Sequence, residues 1–141
     1  MHSFSMKIRI IVGALHFVGR LESERAPGTC AAFLAHLPFR GKLIQARWSG
    51  EAAWIPLGEL NFGVSAENST SDPAPGQLLL YPGGVSETEI LFPYGSCRFA
   101  SKFGQLAGSH FITIVEGAEQ LGSLGERVLW EGAQDIAFEA E

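Results

Sequence analysis

Apolar residues along this chain come in short runs, broken by glycine, proline and small polar residues. Residues 7–12 and 15–21 are strand-like runs separated by Gly13-Ala14, the pattern of a tight antiparallel hairpin. Pro27 then supplies a preset φ where a helix needs no backbone donor, and Cys30, Phe33, Leu34 and Leu37 fall at i, i+3, i+4 and i+7. That spacing predicts one amphipathic helix, ended by Pro38 and Gly41. Residues 42–48, 51–57, 77–81 and 89–92 read as short strands, as do 110–116 and 127–130, with a turn or short helical piece between the last two. Residues 135–139 supply a closing strand. Between Glu59 and Gly76 lies a polar loop, too poor in apolar residues to bury a face and long enough to serve a site mouth. There is no internal repeat.

Many short strands with glycine and proline punctuation, and one clear helix, predict a mainly β fold. A closed antiparallel barrel of about eight strands with one or two short helices removes exposed sheet edges and fits this pattern. The 141 residues show no composition break, so a single domain over 1–141 is expected, with residues 1–6 disordered. Hydrophobic residues at 46% and charged residues at 18% provide ample material for a core.

Charge and cysteine usage narrow the partners. A formal net charge of −5, with no Lys/Arg cluster, excludes a nucleic-acid electrostatic footprint. The apolar runs fall far short of the roughly 20 residues that span a bilayer, so no membrane partner is expected. The first residues lack a basic region, apolar stretch and cleavage site, which predicts a cytoplasmic protein. Cys30 and Cys97 have no metal spacing and read as buried thiols. Dinucleotide, P-loop, nucleophile-elbow and paired CxxC patterns are absent, so neither cofactor nor metal is expected.

Two separated segments carry a family resemblance. Residues 26–38 open with Ala-Pro-Gly-Thr and reach Phe33 a few residues on, and residues 108–117 begin Gly-Ser-His-Phe. The first resembles the short helix of cyclophilins, and the second their Gly-Ser-Gln-Phe strand, with His110 in place of the glutamine. The runs from Arg47, Pro73 and Glu89 resemble a bacterial group of small cyclophilin-like proteins of unknown function. The resemblance implies a cyclophilin-like barrel, diverged from prolyl isomerases, with the Pro27 helix over one end. It makes Arg47 the counterpart of the catalytic arginine. The residues after Arg47, from Ser49 to Trp54, lack the family's Phe-Met-x-Gln-Gly-Gly pattern, which removes the floor of a proline pocket.

The candidate site residues are Arg47, Trp48, Glu51, Trp54, Tyr94, Arg98 and His110. Arg47 and Arg98 are fork-shaped donors for a carboxylate or phosphate, Trp48, Trp54 and Tyr94 are apolar walls, and His110 titrates near neutrality. Glu51 and Glu87 are carboxylates available for acid–base work. Each has a plainer role: a surface ion pair for Arg98, core packing for the tryptophans, a structural hydrogen bond for His110. Within the resemblance Arg47, Glu51 and His110 share one groove. Two function classes remain open: a small-molecule-binding or accessory protein, or an enzyme of isomerase-like or other small-enzyme type using the Arg47/Glu51/His110 groove. A small-molecule ligand and a homo-oligomeric state are the expected partners. The aromatic–proline steps Tyr81-Pro82 and Phe92-Pro93 leave cis and trans open.

Overall fold

The computed structural model describes residues 6–141. The disorder expected for residues 1–6, and His2, lie outside the described residues except at Met6, whose carbonyl accepts the Leu21 N–H. The strands are β1 (Lys7–Val12), β2 (Leu15–Leu21), β3 (Phe39–Gln45), β4 (Gly50–Gly58), β5 (Ser69–Thr70), β6 (Gln77–Tyr81), β7 (Thr88–Cys97), β8 (Ala100–Ser101), β9 (Gly104–Gln105), β10 (Gly108–Glu116) and β11 (Gln134–Ala140). The helices are α1 (Pro27–Leu34) and α2 (Leu121–Trp130), the second preceded by a 3₁₀ turn at Ala118–Gln120.

Eight strands in the order β2-β1-β11-β3-β4-β7-β6-β10 close into an antiparallel barrel through the pairing of β10 with β2, and β5 adds to β10. Closure removes the sheet edges that an open array of short strands would expose. Gly13, at φ 59°, makes the β1–β2 hairpin turn.

The barrel interior is filled by side chains. Phe17, Phe33, Phe92, Phe111 and Phe138 are buried there with Ile8, Ile10, Leu43 and Ile55. α1 covers one end: the Phe33 ring packs against Phe111 and Phe138 at centroid separations of 5.2 Å each and against Phe39 at 5.5 Å. Leu121, Leu124 and Val128 of α2 bring a second apolar stripe into the same core. α2 approaches the sheet closely because Gly125 has no side chain; a Cβ there would stand 2.3 Å from the Tyr94 ring.

Several boundaries differ from the sequence expectation. Residues 127–130 are the last turns of α2, not a strand, because burial follows the i, i+3, i+7 spacing of Leu121, Leu124 and Val128. Gly41 does not end a helix: α1 stops at Leu34, and Gly41 lies within β3, where a Cβ would meet Ile55 at 2.9 Å. The polar loop buries more than expected, since Phe62 lies in the core. Its Glu67 carboxylate accepts the Thr29 N–H at the start of α1, where a negative charge is favourable. Among the described residues the cis peptide bond is Leu37–Pro38, and neither aromatic–proline step is cis.

A second, smaller cluster lies on the outer face of β4, β7 and β6. Ala52, Leu79 and Leu91 point outward there, with Tyr81, and are covered by Phe99 and Leu106 from the segment that carries β8 and β9. Alternation explains the division: Ala53, Ile55, Ile90 and Phe92 face the interior, so their strand neighbours face out.

Candidate functional site

The outer face also holds the cavity. Its floor is set by strand register, with Trp54 of β4 opposite Leu91 of β7, and Glu89 two residues earlier on the same face as Leu91. Two covering segments make the walls. Ser49, in the turn between β3 and β4, is buried; its hydroxyl donates to the Ala100 carbonyl and accepts the Ala100 N–H, both at 3.1 Å. The Ser49 carbonyl also accepts the Arg98 N–H at 3.0 Å. These bonds fasten the β3–β4 turn to the β8–β9 hairpin and hold Arg47 and Trp48 across from Lys102 and Phe103. The cavity is about 150 Å³ and about half open to solvent, with Trp48 and Phe103, 53% and 65% exposed, at its exposed rim.

Glu89 is the chemically unusual group. It is 6% exposed, lies between Tyr81 on β6 and Pro56 on β4, and forms no hydrogen bond or ion pair among the described residues. Burial, and then the nearby Glu87 carboxylate, push its pKa up to about 8. At neutral pH it is therefore largely the undissociated acid, a donor as well as an acceptor at the base of an aromatic cavity. Glu87 is engaged elsewhere, accepting the Gly58 N–H at 2.8 Å. The guanidinium of Arg47 sits 5.3 Å from the Trp48 ring centroid, and the Lys102 ammonium 5.1 Å from that of Phe103. Both aromatic rings at the mouth thus carry a cation of the protein itself.

Of the residues singled out in the sequence, Arg47, Trp48 and Trp54 meet in this cavity. The others have partners elsewhere. Glu51 accepts the Ser96 N–H at 2.8 Å and lies against Gly95 where the β4–β7 register shifts, while the Tyr94 hydroxyl donates to Gln45 Oε1 at 2.6 Å beside α2. Arg98 Nε donates to Asp72 Oδ1 at 3.0 Å in an exposed ion pair. His110 Nε2 lies 2.8 Å from Thr113 Oγ1, which donates to Glu22 Oε2 at 2.7 Å; since Thr113 spends its proton on Glu22, the imidazole is the donor to Thr113. Burial lowers the His110 pKa, against the opposing pull of Glu22. Burial alone would raise Glu22, but hydrogen bonds from Thr113 and Arg20 hold it below the ordinary carboxylate value. The polar loop 59–76 contributes nothing to the cavity lining, so the mouth is built by other segments.

Glu89, Lys102 and Phe103 complete the cavity and were not singled out from sequence. One signal was present for Glu89: it is a carboxylate inside a strand whose next residues, Ile90, Leu91 and Phe92, are all apolar. For Lys102 the signal was the short positive stretch it forms with Arg98, suited to a carboxylate or phosphate; Phe103 gave none, because its approach depends on the Ser49–Ala100 bonds. Among the described residues no group of His, Cys, Asp and Glu is arranged to hold a metal, and no helix is long and apolar enough to cross a membrane.

The fold has solved relatives. The structure of McbB in complex with tryptophan superposes with a TM-score of 0.69 at 16% identity, covering 95% of this chain and 44% of McbB. This chain therefore spans less than half of McbB's length. The solution structure of the hypothetical protein AF2241 from Archaeoglobus fulgidus superposes with a TM-score of 0.55 at 16% identity, covering 99% of this chain and 98% of that one. At such identity these likenesses speak to fold alone. No curated protein matches the sequence. Residues 8–140 match the family described as a protein of unknown function, DUF3830, and the chain belongs to that family.

Proposed function

We propose that this protein binds a small organic molecule in the outer cavity, on a cyclophilin-like barrel that has diverged from prolyl isomerases. One observation carries the reading: Glu89 is buried without a partner, yet faces an open space walled by Trp48, Trp54 and Phe103. Its oxygens are not sealed off, so with no partner from the protein the carboxyl meets water or a ligand only through the cavity, an arrangement that a purely structural position does not need. A volume of about 150 Å³ matches the size of cavity that accepts about one aromatic ring. McbB, which shares this fold over 44% of its length, is solved in complex with tryptophan, an aromatic small molecule, and that is compatible with this reading. The test is a thermal-shift and calorimetric screen of single-ring compounds against the native protein and Trp54→Ala. Saturable binding lost in Trp54→Ala is expected; binding that survives that change places the ligand elsewhere.

A catalytic role is the second reading, favoured by the pKa of about 8 at Glu89, which suits a general acid or base near neutrality. A prolyl-isomerase role has less support, since Glu51 and His110 are occupied away from Arg47. Isomerisation of a standard Xaa-Pro peptide is expected at the uncatalysed rate, and acceleration abolished by Arg47→Ala would reverse that.

A further inference from the structure

Resting on that reading of the cavity, we infer that its ligand is a small aromatic carboxylate, with its ring between Trp48, Trp54 and Phe103 and its anionic group at Arg47 and Lys102. Glu89 meets the ligand from the floor as a neutral acid.

The arrangement of charge favours an anion over a cation. An aromatic cavity with a carboxyl at its base is also the general plan of a cage for an organic cation, in which ring faces and a counter-ion share the positive charge. Here each ring at the mouth already has a cation over one face, Arg47 at Trp48 and Lys102 at Phe103. A cationic ligand would meet two like charges in the lining of the cavity. An anion would find both in place, one of them a planar fork suited to a carboxylate.

The groups around Glu89 point the same way. From β6 it faces Tyr81 and from β4 Pro56, neither with a formal charge, and Trp54 lies beside it on the floor. Glu87, on the connection from β6, is the neighbouring carboxylate and makes ionisation of Glu89 harder. Arg47 and Lys102 come from the two covering segments, and neither forms an ion pair with Glu89. The floor is therefore neutral and the rim positive at neutral pH. Once Glu89 ionises, it repels an anion held within the same cavity, so affinity for a carboxylate falls as pH rises through about 8.

The experiment uses three probes whose charge is constant over the range: benzoate, benzyltrimethylammonium and benzyl alcohol, titrated calorimetrically at pH 7 and pH 9. Benzoate is expected to bind the native protein best and to lose about tenfold in affinity between those values, the ratio of neutral Glu89 for a pKa of about 8. Glu89→Gln, which keeps a polar group of the same size but cannot ionise, is expected to flatten the pH dependence; a fall of about tenfold between pH 7 and pH 9 that survives this change overturns the role given to Glu89. Arg47→Ala combined with Lys102→Ala is expected to weaken benzoate at least about tenfold and benzyl alcohol far less; equal losses for the two overturn the anion assignment. Benzyltrimethylammonium binding more tightly than benzoate overturns the anion assignment and leaves the cavity as a ligand site. So does benzyl alcohol binding while benzoate does not. If none of the probes binds, both the anion assignment and the ligand-site reading fall.

Discussion

The two faces of the β4–β7–β6 sheet are built from alternate residues of the same strands, yet they solve opposite problems. The inner face buries Ala53, Ile55, Ile90 and Phe92 in a core closed by α1 and α2 and packed with phenylalanine. The outer face carries Leu91 and Ala52 under a thin cover, and beside them Trp54 and Glu89 line an open cavity. In a small barrel the interior is consumed by packing, so a ligand site has to be made outside it, from connecting segments laid over one strand group. The contrast extends to the carboxylates. Glu22 is held as an anion by Thr113 and Arg20, whereas Glu89 has no partner and is held as an acid.

The largest effect expected from this division is on stability. Phe33→Ala removes the ring that joins Phe39, Phe111 and Phe138 and is expected to cost about 3–5 kcal/mol in denaturant unfolding. Trp54→Ala, on the half-buried floor of the cavity, is expected to cost only about 1–2 kcal/mol while removing ligand binding. Equal losses would mean that the outer cluster is part of the same cooperative core.

Next is the pH dependence, in which the two carboxylates act with opposite sign. Burial and Glu87 raise Glu89 from 4.5 to about 8, so between those values the folded chain keeps a proton that the unfolded chain has released. Stability from this group is full below pH 4.5, declines as pH rises towards 8, and is flat above. Glu22 contributes the reverse, stability present above 4.5 and lost as pH falls below it. Subtracting the unfolding free energy of Glu89→Gln from that of the native chain isolates the first term. A difference on the order of a few kcal/mol between pH 5 and pH 8.5, with the native protein falling more steeply, is expected. A difference independent of pH would mean that Glu89 is ionised at neutrality, and the neutral floor would be wrong.

A smaller change tests how α2 is seated. At Gly125 a Cβ would stand 2.3 Å and 2.4 Å from two Tyr94 ring atoms, so Gly125→Ala forces helix and strand apart at a cost of about 1–3 kcal/mol. The gain in helix propensity from alanine, about 1 kcal/mol, offsets part of this. A more stable Gly125→Ala would show that the close approach is not required.

Gly125 also explains why α2 was legible only in its first part, as a turn or short helical piece, and its end reads as a strand. Gly122 and Gly125 lower the helical preference of the segment, and Val128-Leu129-Trp130 alone suggests a strand; only burial of Leu121, Leu124 and Val128 against the barrel overrides that. By contrast the β1–β2 hairpin, α1 and β6 were legible, since their apolar spacing and turn residues agree with the final packing. The cavity was legible in part. Arg47, Trp48 and Trp54 stand near one another in sequence and were marked by their chemistry, while Glu89 needed the pairing of β7 with β4, and Lys102 and Phe103 needed the Ser49 bonds. The Arg47–His110 groove was expected from family likeness, and the local partners Thr113 and Ser96 claim His110 and Glu51 instead.

The smallest effect uses the two thiols, one in each region. Cys30 on α1 is buried in the inner core, where its Sγ lies 3.4 Å from the Phe111 carbonyl, and Cys97 at the end of β7 packs against the outer cluster and is half-buried. Burial raises both to about 11, with Glu67 and Glu22 adding to the effect at Cys30 and Asp72 at Cys97. At pH 8 both are overwhelmingly thiols, so ionisation does not separate them and the labelling rates report access. Native labelling with a maleimide, followed by mass mapping, is expected to modify Cys97 slowly and Cys30 only under conditions that unfold the chain, with Cys97 labelling hastened by loosening the cover through Ser49→Ala. Global unfolding would expose both residues at one rate. Opening of the outer cover alone exposes Cys97 and leaves Cys30 untouched, and labelling of the two at equal rates under native conditions would mean that the inner and outer packings open together.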